Sequence, residues 1–272
     1  MMKKTFLKLT ALAASAFVLA ACNEKNSGEN VEQAKPKVVF LAGATGVIGE
    51  PLSKALVEKG YKVYGTTRSE IKAKALEEIG VIPIVVDVFN APVLEQAVVE
   101  AKPDVVINQL SSLPKGLKDE EMEEGLKRDS KIRIEGTKNL VAAAEKAGAK
   151  KYIAQSFMYY APSDHPVTEE GEWYDENDAT YGESIKSIKS LETQTLAGKF
   201  TPVVLRYGWI YGGKSGFDAA PEGYAGIHIN ALVDATVRAV EANLNGVYNV
   251  AEDGPIVDSN KFKNAVPEWN AK

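Results

Sequence analysis

The sequence predicts an α/β fold, a doubly wound parallel sheet with helices on both faces. Three observations point there. From residue 37 onward, short apolar runs rich in β-branched residues alternate with segments of helical periodicity. A glycine-rich turn joins the first apolar run to the first helical segment. The chain has 272 residues, 45% hydrophobic and 25% charged, enough for one large domain with its own core.

Lys37-Val38-Val39-Phe40-Leu41 reads as the first buried strand. The turn Gly43-Ala44-Thr45-Gly46-Val47-Ile48-Gly49 follows it. A helix comes next, with Leu52, Ala55 and Leu56 on one face and Gly60 at its end. Pro51 is awkward there, because proline removes a helical hydrogen bond. Lys62–Thr66 is the second strand, and Ser69–Glu78 a helix capped by Ser69 and stopped at Gly80. Val81–Val86 is the third strand, ending at Asp87, and Pro92–Ala101 a helix after Asn90. Val105–Gln109 is the fourth strand. One long helix is expected over about 119–147, ended by Gly148, and Lys151–Ser156 is the fifth strand. A helix over 181–197, another over Ala231–Ala242 and a late strand Gly246–Val250 complete the pattern.

A strand, a glycine turn and a helix in that order let backbone approach a pyrophosphate, and the helix N-terminus supplies N–H groups and a positive dipole end. Gly43, Thr45, Gly46, Val47, Ile48 and Gly49 are therefore candidate phosphate-cradling residues. Domains that bind NAD usually carry an acidic residue at the end of the second strand, for the ribose hydroxyls. Thr66-Thr67-Arg68 stands there instead, and Arg68 suits a 2′-phosphate, favouring NADP over NAD; a solvated surface arginine is the alternative.

The N-terminus is of a different kind. Lys3, Lys4 and Lys8 precede an apolar stretch, Leu9 to Ala21, which is short for a membrane span. It ends in Leu19-Ala20-Ala21-Cys22, similar to the lipobox of bacterial lipoproteins, and Cys22 is the only cysteine of the chain. Residues 1–21 are expected to be a signal peptide, Cys22 the lipidated residue, 22–36 a polar tether and 37–272 the folded domain. An ordinary secretory signal is the alternative. The lipobox resemblance implies a cell-envelope protein held to the membrane at Cys22. Asn23, in place of the aspartate that retains lipoproteins at the inner membrane, implies the periplasmic face of the outer membrane if the source is Gram-negative.

Several motifs together resemble the extended short-chain dehydrogenases/reductases, in particular the NAD(P)-dependent epimerase/dehydratase-like branch. The resemblance spans about residues 37–270. It rests on the glycine turn, Asp87-Val88 after the third strand, Ile107-Asn108-Gln109-Leu110-Ser111 and Glu135-Gly136-Thr137-Lys138-Asn139-Leu140. It rests further on Val204-Leu205-Arg206-Tyr207-Gly208-Trp209-Ile210-Tyr211-Gly212, Gly246-Val247-Tyr248-Asn249-Val250 and Trp269. It implies a Rossmann-type fold with a small C-terminal substrate lobe, here shortened between Tyr211 and His228. It also implies an NADP or NAD cofactor touched by Asp87, Val88, Gln109, Leu110 and Ser111, and a small-molecule substrate, carbonyl or sugar-nucleotide-like. Relatives often form homodimers through two long helices, here about 119–147 and 181–197.

The same resemblance implies a catalytic serine, tyrosine and lysine, the tyrosine exchanging a proton. A free phenol, with a pKa near ~10, does this poorly at neutral pH. Ser156, Tyr181 and Lys186 are the candidates. Lys186 stands five residues after Tyr181, where the family has four. On a helix the extra residue turns the side chain by about 100°. Alignment on Leu191-Glu192 instead puts Ser184 and Ile188 at the tyrosine and lysine positions, and the motif is lost. Arg133 replaces a usual asparagine. Tyr159 and Tyr160 offer phenols from another direction, with core packing as their simpler use. His165 is expected in an exposed loop, His228 at a helix start, and the acidic run 169–178 as a solvated loop or a lid.

A net charge of −5 gives no footprint for nucleic acid. With one cysteine and two histidines, no structural metal site is expected. Three functions stay open: an NAD(P)-dependent oxidoreductase or epimerase with an altered Tyr/Lys motif, a non-catalytic NAD(P)-binding or scaffold lipoprotein of the envelope, or a lipoprotein interaction module with no ligand.

Overall fold

Strand β1, Val38–Ala42, lies at the centre of the sheet and is apolar throughout because both its faces are covered. The computed structural model describes residues 37–114 and 116–271, so the signal, Cys22 and the tether lie outside the described residues. Within them the chain runs β1, α1 (Gly49–Glu58), β2 (Lys62–Thr67), α2 (Glu70–Glu78), β3 (Ile82–Val85), α3 (Ala91–Ala101) and β4 (Val105–Asn108). Then come α4 (Asp119–Lys131), a π-helical turn (Ile132–Gly136), α5 (Thr137–Ala147), β5 (Lys151–Phe157), α6 (Gly182–Leu196) and β6 (Thr201–Tyr207). The chain closes with β7 (Trp209–Tyr211), β8 (Gly226–His228), α7 (Ile229–Glu241), β9 (Gly246–Val250) and α8 (Asn260–Ala265).

The main sheet has seven strands in the order β3-β2-β1-β4-β5-β6-β9, and every pairing in it is parallel. Alternation along each strand divides its residues between two cores. Val39, Leu41, Ile107, Ile153 and Leu205 pack with Leu52 and Leu56 of α1 and Leu232 of α7. Phe40, Ala42, Val106 and Tyr152 pack with Leu94 of α3 and Leu140 of α5. This is the Rossmann-type doubly wound sheet that the alternation predicts. The short parallel pair β7–β8 carries the reduced lobe between them.

Local signals set the helix ends. The Ser69 hydroxyl accepts the Lys72 N–H at 3.4 Å, and Asn90 Oδ1 accepts the Val93 N–H, also at 3.4 Å. Gly148 ends α5 with φ of 72°. Pro51 does no harm: it lies in the first turn of α1, where an N–H has no intrahelical acceptor in any case. The long helix expected over 119–147 is interrupted by the π-helical turn, which carries Arg133. His228 caps α7, its Nδ1 accepting the Asn230 N–H at 3.2 Å, and His165 is exposed beside Asp164. The acidic run is a mostly exposed loop, as expected of a solvated one, yet it is tied down at two points. Glu169 accepts the Asn249 N–H at 2.7 Å, and Trp173 packs edge-on to Tyr160, so the segment is pinned to the sheet.

Candidate active site at the carboxyl edge of the sheet

In open α/β sheets ligands bind beyond the carboxyl ends of the strands, where the winding reverses. Here that point lies between β1 and β4. Gly43 leaves β1 with φ of 84°, its N–H donating to Thr66 Oγ1 at 2.9 Å. A Cβ on Gly43 would stand 2.6 Å from the Gln109 carbonyl oxygen, and one on Gly49 would overlap the Gly43 carbonyl. Both glycines therefore let backbone pass backbone. Gly46 differs. It is exposed, and a Cβ there would meet only the Gly43 carbonyl, at 3.3 Å. It leaves the head of α1 open to a diphosphate.

The rest of the cradle is consistent with a dinucleotide. Thr45 and Thr67 share a hydroxyl contact of 3.3 Å that ties the turn to β2. Val47 is exposed, while Ile48 caps α1 from the core. Arg68 is exposed beside the cradle and forms no ion pair among the described residues. The Val86 N–H donates to the Thr67 carbonyl at 2.9 Å, which sets Asp87 beside the end of β2. The Asp87 carboxylate accepts the Phe89 N–H at 3.0 Å, and Val88 is buried under the π-helical turn. A glycine cradle that side chains would fill, with a free guanidinium at its adenosine end, fits NAD(P).

The β4 end is more mixed. The Gln109 N–H donates to Ala42 O at 3.0 Å and its side chain is buried, Nε2 donating to the Tyr207 hydroxyl at 3.3 Å. Leu110 is also buried. Ser111 is exposed, but its hydroxyl donates to Asp129 Oδ1 at 2.8 Å. The same oxygen accepts the Ser112 N–H at 2.7 Å.

Ser156, Tyr181 and Lys186 are not brought together. Ser156 is 2% exposed, and its hydroxyl donates to Glu192 Oε1 at 2.5 Å. Glu192 is engaged twice by Arg206, from Nε at 2.8 Å and Nη2 at 2.7 Å. Arg206 Nη1 donates to the Tyr160 hydroxyl at 2.7 Å, and that hydroxyl donates to Asn249 Oδ1 at 2.7 Å. The serine thus belongs to a buried ionic network joining β5, α6, β6 and β9. Lys186 is exposed on the outer face of α6, and buried Ile185 takes the place four residues after Tyr181.

Tyr181 caps α6 and meets other aromatics. Its ring centroid lies 5.8 Å from that of Tyr159 and 6.2 Å from that of Tyr174. A hydrogen bond with Tyr224 is the main reason its phenol is shifted upward. Tyr224 in turn lies 5.2 Å from Trp209. Beyond Tyr224 an open cleft of about 520 Å³ continues past Tyr211, Asp218 and Glu252.

Two further residues complete the site. Tyr159 hydrogen-bonds Ser184 and feels the Arg133 charge; burial raises its phenol, and Arg133 and Ser184 partly offset that rise. Arg133 is 6% exposed, its Nε donating to Asp129 Oδ2 at 2.6 Å. The sequence singles out Arg133 only as a departure, and offers Tyr159 as a phenol from another direction with core packing as its simpler use. The signal that joins them is the π-helical turn, which helical periodicity does not show.

Comparison with known proteins bears on this site. The profile of the NAD(P)H-binding family matches residues 43–223, from the glycine turn to the aromatic wall. The 3-diazoavenalumate denitrifying reductase of a Streptomyces species is 33% identical over 238 residues, 80% of this chain and 76% of the relative. Among solved structures, UDP-glucose 4-epimerase from Bifidobacterium longum, in complex with NAD+ and UDP, superposes with a TM-score of 0.70 at 18% identity, covering 87% of this chain and 94% of that one. UDP-glucuronic acid 4-epimerase from Bacillus cereus gives 0.69 at 17% identity, covering 86% and 94%. The match begins at the very glycine whose positive φ opens the cradle, so fold, cradle and sequence agree that this chain belongs to the NAD(P)H-binding family, on the Rossmann-type fold of the epimerase/dehydratase-like short-chain dehydrogenases/reductases.

Proposed function

We propose that this protein is an NADPH-dependent reductase of a small electrophilic molecule. One observation favours reduction over epimerisation: among the described residues, no lysine is among the groups that act on either phenol of the site. Tyr159 and Tyr181 are both shifted upward. A raised phenol stays protonated at neutral pH, so neither side chain takes a proton from a sugar hydroxyl; as a donor it serves only an acceptor more basic than a phenolate, such as an oxygen that gains negative charge as a hydride arrives. When bound, the reduced nicotinamide supplies the hydride. The glycine turn holds the diphosphate, and Arg68 the 2′-phosphate that marks NADPH. Tyr159, steadied by Ser184, donates the proton that balances the hydride and is reprotonated from solvent. The similarity to a relative named as a reductase supports the same direction.

Thermal melting of the purified protein with NADPH, NADH and neither tests this reading. A ligand that binds only the folded state raises the melting temperature. NADPH is expected to stabilise more than NADH, and Arg68→Ala to remove the difference through a loss of about tenfold in NADPH affinity, or ~1.4 kcal/mol. No stabilisation by either nucleotide would overturn it. The Cys22 reading adds a place, with this enzyme tethered at the cell envelope; sedimentation with membranes, abolished in Cys22→Ser, is the check.

A further inference from the structure

We propose that the glycine loop 212–217 of the reduced lobe straps the nucleotide cradle, and that Lys214 on this loop holds the diphosphate of the bound dinucleotide by charge. The proposal rests on the NAD(P) cradle and not on the direction of the reaction. It adds to the cradle a residue from the far lobe, about 165 positions along the chain from the glycine turn.

One loop touches both lips of the crevice. Lys214 Nζ donates to Glu50 Oε1 at 2.6 Å. Glu50 lies in the first turn of α1, its N–H donating to the Gly46 carbonyl at 3.0 Å. On the other lip Gly216 lies against Gly116, in the segment from β4 to α4. A Cβ on Gly216 would stand 2.8 Å from the Gly116 Cα, so only glycine lets the two backbones meet. Glu50 follows β1 and Gly116 follows β4, so the loop spans the switch point between those two strands. It also holds its own shape. The Gly212 N–H donates to the Phe217 carbonyl at 2.8 Å and the Ser215 N–H to the Gly212 carbonyl at 3.1 Å. The Phe217 ring packs edge-on to Trp209, with centroids 5.1 Å apart.

Charge gives the lysine its role. The turn from Gly43 to Gly49 carries no cation. Glu50 then adds a negative charge at the head of α1. That charge suits the helix dipole but opposes an anionic ligand at the same end. Helical side chains lean toward the N-terminus, which carries the Glu50 carboxylate and the ammonium paired with it toward the cradle. Both side chains are more than half exposed, so the pair itself adds little to stability. An ammonium has three donors, enough for the Glu50 carboxylate and a phosphate oxygen together. Lys214 thus cancels the unfavourable charge and supplies the cation that the glycine turn lacks.

The test is calorimetric titration of NADPH into the purified protein and its variants, with circular dichroism confirming that each is folded. Lys214→Met should weaken NADPH about tenfold and Lys214→Arg by less than about twofold, because charge is what the site requires. Glu50→Gln removes the opposing charge and should tighten NADPH about threefold. In the Glu50→Gln background Lys214→Met should still weaken NADPH about fivefold, the mark of a lysine that meets phosphate directly. Adenosine 2′-phosphate, which has no diphosphate, should displace NADPH with the same affinity from Lys214→Met as from the unaltered protein. No cost of Lys214→Met in the Glu50→Gln background would overturn the phosphate contact and leave a surface ion pair. An equal loss for adenosine 2′-phosphate would overturn the placement at the diphosphate. Gly46→Asp separates the two levels. NADPH binding that survives Gly46→Asp, or is absent from the unaltered protein, defeats the cradle and this inference with it. Binding that Gly46→Asp abolishes and Lys214→Met spares defeats this inference alone.

Discussion

The two halves of the crevice keep to the expected dehydrogenase pattern to different degrees. On the nucleotide side, Gly43 and Gly49 stand where backbone passes backbone, Gly46 leaves the head of α1 open, and Asp87 stands beside the end of β2. On the substrate side Ile185 stands where the resemblance implies a lysine, Arg133 where it implies an asparagine, and Ser156 is drawn into a buried ionic network. A diphosphate and adenosine make the same demand on any NAD(P)-binding cradle, whereas each substrate makes its own demand on the residues that face it. Cofactor and substrate specificity are thus separable in this fold.

The comparison can be broken or sharpened at four points. The largest effect belongs to the substrate half. Glu192→Ala leaves Arg206 buried without its carboxylate and is expected to cost about 3–5 kcal/mol in urea unfolding. A loss below ~1 kcal/mol would show that the network holds nothing together. Gly46→Asp puts bulk and negative charge at the head of α1. It should weaken NADPH binding by about a hundredfold or more, ~2.7 kcal/mol, with an unchanged unfolding midpoint, since the position is exposed. Retained affinity would move the cradle elsewhere.

Tyr159→Phe is expected to lower kcat about a hundredfold and leave NADPH affinity unchanged, the mark of a proton donor. An unaltered kcat would return Tyr159 to packing. The mildest effect lies at the seam of the two halves. Tyr207 is buried against Thr236 and Gln109, and burial pushes its phenol from the usual 10.0 up to about 12. The stability tied to this shift is fully present below pH 10 and is lost as pH rises toward 12, because only the unfolded chain gives up the proton there. Tyr207→Phe should flatten this alkaline limb of the stability curve, measured by urea midpoints across pH.

The fold was largely legible because its signals are local. Strand runs, the Ser69 and Asn90 caps and the glycine turn act within a few residues of themselves, so spacing alone reports them. The cradle was legible for the same reason. The substrate side was harder to read. Spacing on α6 identifies a disturbed motif, but it does not tell that Ser156 faces Glu192, or that Tyr159 approaches Arg133 across two separate elements. The π-helical turn adds a further shift that no period of 3.6 anticipates.

The sequence by itself determined the alternating sheet, the position of the nucleotide cradle and the fact that the Tyr/Lys spacing is altered. Only the tertiary structure decided what replaces that motif. A turn or a cap is set by neighbours along the chain. A buried ion pair and a phenol's partner are set by segments tens of residues apart, and their energies exist only once packing excludes water between them.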